Sequence, residues 1–202
     1  MLRIRPLMMQ FCKSTFVGHC LILTTMLGIL GCSSELDFEQ QSEYSHIRVR
    51  TNGDERTLLF VRESGREVVE TRLNLKRPYE LQSAYTPFMF ASYLIKPEQE
   101  RVLIIGLGGG AMVQFLKHYA PQLVVDVVEI DPVVAKVADE FFNTRTEGNV
   151  NIVIADASEY LATTEHRYDV IYLDAFLPPS SVTDNFGIPL KHKTKEFYLA
   201  LT

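Results

Sequence analysis

An α/β fold, in which a parallel sheet carries helices on both faces behind a small antiparallel β-meander, is predicted by three observations. Between Arg101 and Asp174, four runs of mostly branched apolar residues alternate with helix-like segments, the rhythm of a buried parallel sheet. The first run breaks into Gly106-Leu107-Gly108-Gly109-Gly110 and resumes as Ala111-Met112-Val113, which reads as strand, tight turn and helix. Ahead of it, apolar and polar residues alternate in three short runs separated by turn signals. With 202 residues, 47% of them hydrophobic, the chain can form one core of ordinary size.

The N-terminal stretch differs from everything after it. Arg3, Arg5 and Lys13 precede an apolar run ending at Gly31, and no acidic residue occurs before Glu35. A run of about 12 residues is shorter than the roughly 20 of a spanning helix, so residues 1–31 are expected to be a signal peptide. Ile29-Leu30-Gly31-Cys32-Ser33 resembles a bacterial lipobox, which implies lipidation of Cys32 and a membrane-anchored lipoprotein of the bacterial cell envelope. Its processing would remove three positive charges and no negative ones, taking the net charge from -5 to -8. Cys12, Cys20 and Cys32 all fall in this segment, so neither a disulfide nor zinc is expected in the domain. Residues 32–45, polar and acidic, read as a flexible linker.

Residues 46–78 are expected to form the meander, with turns at Asn52-Gly53-Asp54 and Glu63-Ser64-Gly65. Pro87 suits the first turn of an aromatic helix over residues 86–95, and Pro97 closes it. Residues 79–202 are then a Rossmann-like nucleoside-binding domain. Its strands are predicted at 101–105, 123–129, 150–155 and 168–174, with helices after the glycine turn, at 132–142 and at 157–162.

Four carboxylates, Glu129, Asp131, Asp156 and Asp174, each come at or just after the end of an apolar run. In a parallel sheet those ends share one edge, opposite the glycine turn, where ligands gather. Gly106, Gly108 and Ala111 satisfy G-x-G-x-x-G/A, a layout that brings a ligand close to the backbone and to the free amides of a helix start. The negative net charge and the lack of a basic cluster argue against nucleic acid as a partner. His19, His46, His118, His166 and His192 show no metal-ligand spacing, so no metal is expected and surface positions are the expectation for most of them.

The glycine turn, Val128-Glu129-Ile130-Asp131-Pro132, Ala155-Asp156-Ala157 and Leu173-Asp174-Ala175-Phe176 together resemble the spermidine synthase group of the S-adenosylmethionine methyltransferase fold, over roughly residues 48–201. The resemblance implies a transferase that moves an aminopropyl group from decarboxylated S-adenosylmethionine to a polyamine. Glu129 would hold the ribose hydroxyls, with Asp131 counted beside it; Asp156 and Ala157 would border the adenine; Gly106, Gly108 and Gly110 would pack under the sulfur. Tyr85 would face the amine and Asp174 would be the general base. An amine is protonated at neutral pH and cannot attack carbon, so a carboxylate must take its proton.

Gly109 and Leu177 stand where that group carries two further aspartates, which brings the chain closer to the broad bacterial class of spermidine-synthase-like proteins. Two alternatives follow: an S-adenosylmethionine-dependent methyltransferase, or a non-catalytic lipid-anchored protein that keeps the fold as a binding module. S-adenosylmethionine is scarce outside the cytoplasm, which makes a cytoplasmic domain the alternative location. The resemblance also implies strands beyond Thr202, so the chain is expected to be truncated at its C-terminus. Strand 168–174 would then be an open edge for a partner chain or a homo-oligomer to cover.

Overall fold

The computed structural model describes residues 34–201. The signal peptide expected at 1–31, the lipidation expected at Cys32 and the other two cysteines lie outside the described residues. Among the described residues, no helix is long and apolar enough to cross a membrane.

Four antiparallel strands in chain order form the first sheet: β1 Glu35–Gln41, β2 His46–Asn52, β3 Glu55–Val61 and β4 Glu67–Asn74. The meander therefore has one strand more than expected, and β1 occupies half of the expected linker at 32–45. Five of its seven side chains are polar and all but Phe38 are exposed, so composition alone reads as a tether; Phe38 packs on Phe141 with ring centroids 5.5 Å apart. What orders it is the backbone ladder to β2, together with charge pairing across the sheet. Arg48 meets Glu39 at 2.7 Å and Glu67 at 2.9 Å, and Thr51 donates to Asp37 at 2.6 Å.

The β2/β3 register is unbroken, whereas β3/β4 slips once. Leu58 stands opposite Thr71 and Leu59 opposite Val69, so Glu70 is left out of the pairing as a β-bulge.

A short helix, α1 (Thr86–Met89), tightens into a 3-10 turn at Phe90–Leu94, where one continuous helix over 86–95 was expected. Phe90 packs on Phe115 at 4.5 Å and on Tyr172 at 5.4 Å, whereas Phe88, Leu94 and Ile95 are exposed.

Then come β5 (Arg101–Ile105), α2 (Ala111–Tyr119), β6 (Val124–Glu129), α3 (Pro132–Phe142), β7 (Val150–Ile154), α4 (Ala157–Thr163), β8 (Val170–Leu173) and, after a long loop, α5 (Lys195–Leu199). The four strands are parallel in the order β7-β6-β5-β8, so β8 lies at an edge.

Alternation along β5 shows why both faces must be covered. Val102 and Ile104 enter a core with Met112, Val113 and Leu116 of α2, while Leu103 and Ile105 enter the opposite one with Val128, Ala157 and Phe197. Burying each such side chain contributes about 1.5–3 kcal/mol. A third cluster joins the two sheets: Ile47, Val49, Leu58, Phe60 and Leu73 of the meander close on Val134, Val137 and Phe142 of α3. This packing brings β4 over the glycine turn, where the Gly109 N–H donates to the Thr71 hydroxyl at 2.9 Å.

Candidate active site

A cavity of about 590 Å³ opens at the carboxyl ends of the parallel strands and is roofed by β4. Gly106, Gly108 and Gly110 of the turn, Glu129, Asp131, Ala157, Tyr85 and Asp174 all line it. The structure thus brings together most of the residues that the sequence singled out.

Glu129 ends β6 and is 8% exposed. Its two carboxylate oxygens accept from the backbone N–H groups of Leu107 and Asp131, each at 2.9 Å. Burial raises its carboxyl above the usual range, and those two N–H groups oppose the shift. A carboxylate has about four acceptor sites, so a ligand can still be received while the glycine turn is clamped. Asp131, 1% exposed, caps α3 by accepting from the Val133 N–H at 2.9 Å, and Ser42 donates to its other oxygen. Its side chain is consumed as a helix cap, which also explains the Pro132 start.

Asp156 is not among the residues that line the cavity, although Ala155 and Ala157 on either side of it are. It caps α4 through the Ser158 N–H and forms an ion pair with Lys191, so both oxygens are engaged. Burial works against its charge, but Lys191 and the Ser158 N–H prevail and hold its carboxyl below the ordinary range. Lys191 arrives from the loop after β8, a partner that spacing in the sequence does not show.

At the other end, Asp174 follows β8, and its N–H donates to the Ile105 carbonyl at 2.9 Å. Tyr85, the residue before α1, donates its hydroxyl to Asp174 Oδ1 at 2.9 Å. Burial raises the Asp174 carboxyl above its ordinary value, and the Tyr85 hydrogen bond offsets part of that. The Tyr85 phenol is itself held above its ordinary value, by burial first and then by the Asp174 charge, so it remains a donor.

Of the two positions where charges were expected to be missing, only Leu177 faces the cavity. Gly109 points elsewhere: a Cβ there would lie 2.8 Å from the Phe142 ring and 3.0 Å from the Thr71 methyl. Packing between α3 and β4 therefore requires glycine at 109. His192 also departs from the surface expectation, being 8% exposed and stacked on Phe197 at 4.4 Å.

Glu70 lines the same cavity and was not singled out in the sequence. The β-bulge sets Glu70 and Thr71 on one side of β4, a placement that strict alternation does not foresee. Burial pushes the Glu70 carboxyl up to about 7 from its ordinary 4.5, the Arg62 guanidinium opposing and the Asp174 charge adding to the rise. Between those two values the folded chain holds this proton and the unfolded chain has lost it. Stability therefore falls as pH rises from 4.5 to 7, by at most about 3 kcal/mol. Glu70→Gln is expected to remove that loss, so urea unfolding should find the variant more stable at pH 8 and equal to the parent at pH 4. Equal stabilities at both pH values would refute the assignment.

A family profile described as the spermine/spermidine synthase domain matches residues 87–199. The polyamine aminopropyltransferase of Vibrio vulnificus is 33% identical over 165 residues, covering 78% of this chain and 55% of its own length. Among solved structures, a probable spermidine synthase from Corynebacterium glutamicum superposes with a TM-score of 0.65 at 24% identity, covering 81% of this chain and 58% of that one. Human methyltransferase-like protein 13, solved in complex with SAH, superposes with a TM-score of 0.51 at 26% identity, covering 59% of each chain. The chain spans about half the length of the curated relatives it matches.

Proposed function

The chain belongs to the spermine/spermidine synthase family, and from that premise we propose that it transfers an aminopropyl group from decarboxylated S-adenosylmethionine to an amine. The observation that carries this reading is one cavity lined by both Glu129 and the Tyr85–Asp174 pair, in which Tyr85 donates to Asp174; on this reading the nucleoside lies at Glu129 and the amine at Asp174. The Vibrio vulnificus relative is named for polyamine aminopropyl transfer.

Asp174 receives the acceptor as an ammonium ion and takes its proton as the nitrogen attacks the carbon beside the sulfonium. The new C–N bond forms as the C–S bond breaks, and the electron pair leaves on sulfur with methylthioadenosine. Tyr85 fixes the carboxylate by its hydroxyl, and burial raises its proton affinity toward that of a working base. Glu129 and the glycine turn hold the nucleoside, whose sulfonium is already a leaving group.

A second reading, methyl transfer from intact S-adenosylmethionine, is favoured by the start of α2. Gly110 caps that helix with no side-chain hydrogen bond, and Ala111, Met112 and Val113 of its first turn line the cavity, where a carboxylate suits a helix start better than an ammonium does.

Calorimetric titration with methylthioadenosine, decarboxylated S-adenosylmethionine and S-adenosylmethionine separates the readings. Tighter binding of the decarboxylated form supports aminopropyl transfer, and tighter binding of the intact form supports methyl transfer. Binding of none of the three would sink both and leave the fold as a scaffold. Glu129→Gln is expected to weaken nucleoside binding by about tenfold to a hundredfold, from losing charge-assisted hydrogen bonds of about 1.5–3 kcal/mol. Unchanged affinity in this variant would remove Glu129 from the site.

A further inference from the structure

The amine end of the cavity is short of charge on one side. Leu177 presents an apolar side chain from the loop after β8, and Gly109 has no room for any side chain. Asp174 alone would then have to hold an ammonium ion and accept its proton.

Glu70 answers that shortage from β4. It lies on the meander, outside residues 87–199 that match the family profile. The register slip in β4 leaves it outside the strand ladder, and it lines the cavity that Tyr85 and Asp174 also line. β-bulges re-aim side chains beside active sites in this way. Among the described residues, the Glu70 carboxylate has no hydrogen bond and no ion pair. The charged or titratable groups that face it are Arg62 from the end of β3, Tyr85 and Asp174. One cation against two carboxylates leaves this end with a net negative charge. A half-buried carboxylate without a partner is unfavourable until a cation pairs with it. A primary ammonium brings three N–H donors, enough to serve two carboxylates at once.

We propose that Glu70 is the second carboxylate of the acceptor site, holding the ammonium form of the amine against Asp174 and so selecting cationic acceptors. This rests on the aminopropyl-transfer reading for its chemistry, but not for its test. Glu70 binds and positions; the proton goes to Asp174, and the C–N and C–S bonds change as already described.

The test is calorimetric titration with 1,4-diaminobutane and with uncharged 1,4-butanediol, at pH 6 and pH 8, with and without saturating methylthioadenosine. Amines of this type remain protonated at both pH values, with pKa near 10. Any pH dependence therefore belongs to the protein.

The parent chain is expected to bind the diamine up to about tenfold more tightly at pH 8 than at pH 6, as Glu70 loses its proton. Glu70→Gln should bind it weakly at both, whereas Asp174→Asn should keep a pH dependence of the same sign. The Gln variant is nearly isosteric and removes an unpaired charge, so its fold should persist, which thermal melting checks.

Equal diamine affinity and an equal pH profile in Glu70→Gln would overturn the proposal, as would a parent chain that binds the diamine no better than the diol. Failure of methylthioadenosine to bind, with the Glu70-dependent diamine signal intact, would instead overturn the transfer reading and leave this site standing.

Discussion

Asp174→Asn is expected to lower aminopropyl transfer by about a hundredfold to ten-thousandfold, the contribution of a positioned general base. The amide keeps an oxygen for the Tyr85 hydroxyl, which donates at 2.9 Å in the parent, so the local geometry should survive while the proton acceptor is lost. Methylthioadenosine should still bind within about threefold, because its proposed contacts lie at the Glu129 end and only the chemical step is touched. The pH profile supplies a second readout. Burial raises the Asp174 carboxyl, so the parent should gain activity as pH rises through a value above the ordinary 3.8, and the variant should lose that limb. Chromatographic assay of methylthioadenosine release with 1,4-diaminobutane as acceptor measures both. Turnover within about threefold of the parent would exclude Asp174 as the base.

Gly106→Ala should be the most destabilising single substitution in the glycine turn. Gly106 has φ of +99°, and a Cβ there would lie 2.3 Å from the Asp174 carbonyl oxygen and 2.8 Å from its carbon. The obstacle is backbone held on both sides. The Gly106 N–H donates to the Val128 carbonyl and the Asp174 N–H to the Ile105 carbonyl, each at 2.9 Å, so neither strand end can retreat without breaking sheet bonds.

Left-handed strain of about 1–3 kcal/mol and overpacking of a similar size predict a loss of about 3–5 kcal/mol. In a domain of this size that corresponds to a fall in Tm of about 10–15 °C. Gly148→Ala is the control: its φ is +58° but nothing lies within 4 Å of the new Cβ, so only the strain should appear. Equal melting temperatures for the two variants would show that the close approach of β5 and β8 does not constrain the turn. The same approach seats Asp174 beside the glycine turn, so the glycine also fixes where the proposed base stands.

The parallel half of the fold was legible because its strands are buried on both faces. Val102, Leu103, Ile104 and Ile105 are all nearly inaccessible, so apolar runs and their lengths coincide closely with the elements. Asp131-Pro132 and Asp156-Ala157 marked helix starts by local chemistry, and both helices begin where expected. β1 was not legible, since its polar residues are ordered by a ladder and by Arg48 from another strand, and its one packed side chain, Phe38, finds its partner in Phe141 of α3. Asp156 kept its place but not its freedom, because Lys191 reaches it from 35 residues away in sequence.

Residue type and order by themselves determined the α/β class, the glycine turn and the row of carboxylates at one sheet edge. Those features arise from local propensity and from a period of two or nearly four, which a single chain displays without folding. The tertiary structure decided which carboxylates line the cavity. A one-residue bulge turned Glu70 inward, packing of Phe142 closed the space at Gly109, and a helix cap and a lysine engaged Asp156. Each depends on a neighbour distant in sequence, and the direction of a side chain is set by what packs against its backbone.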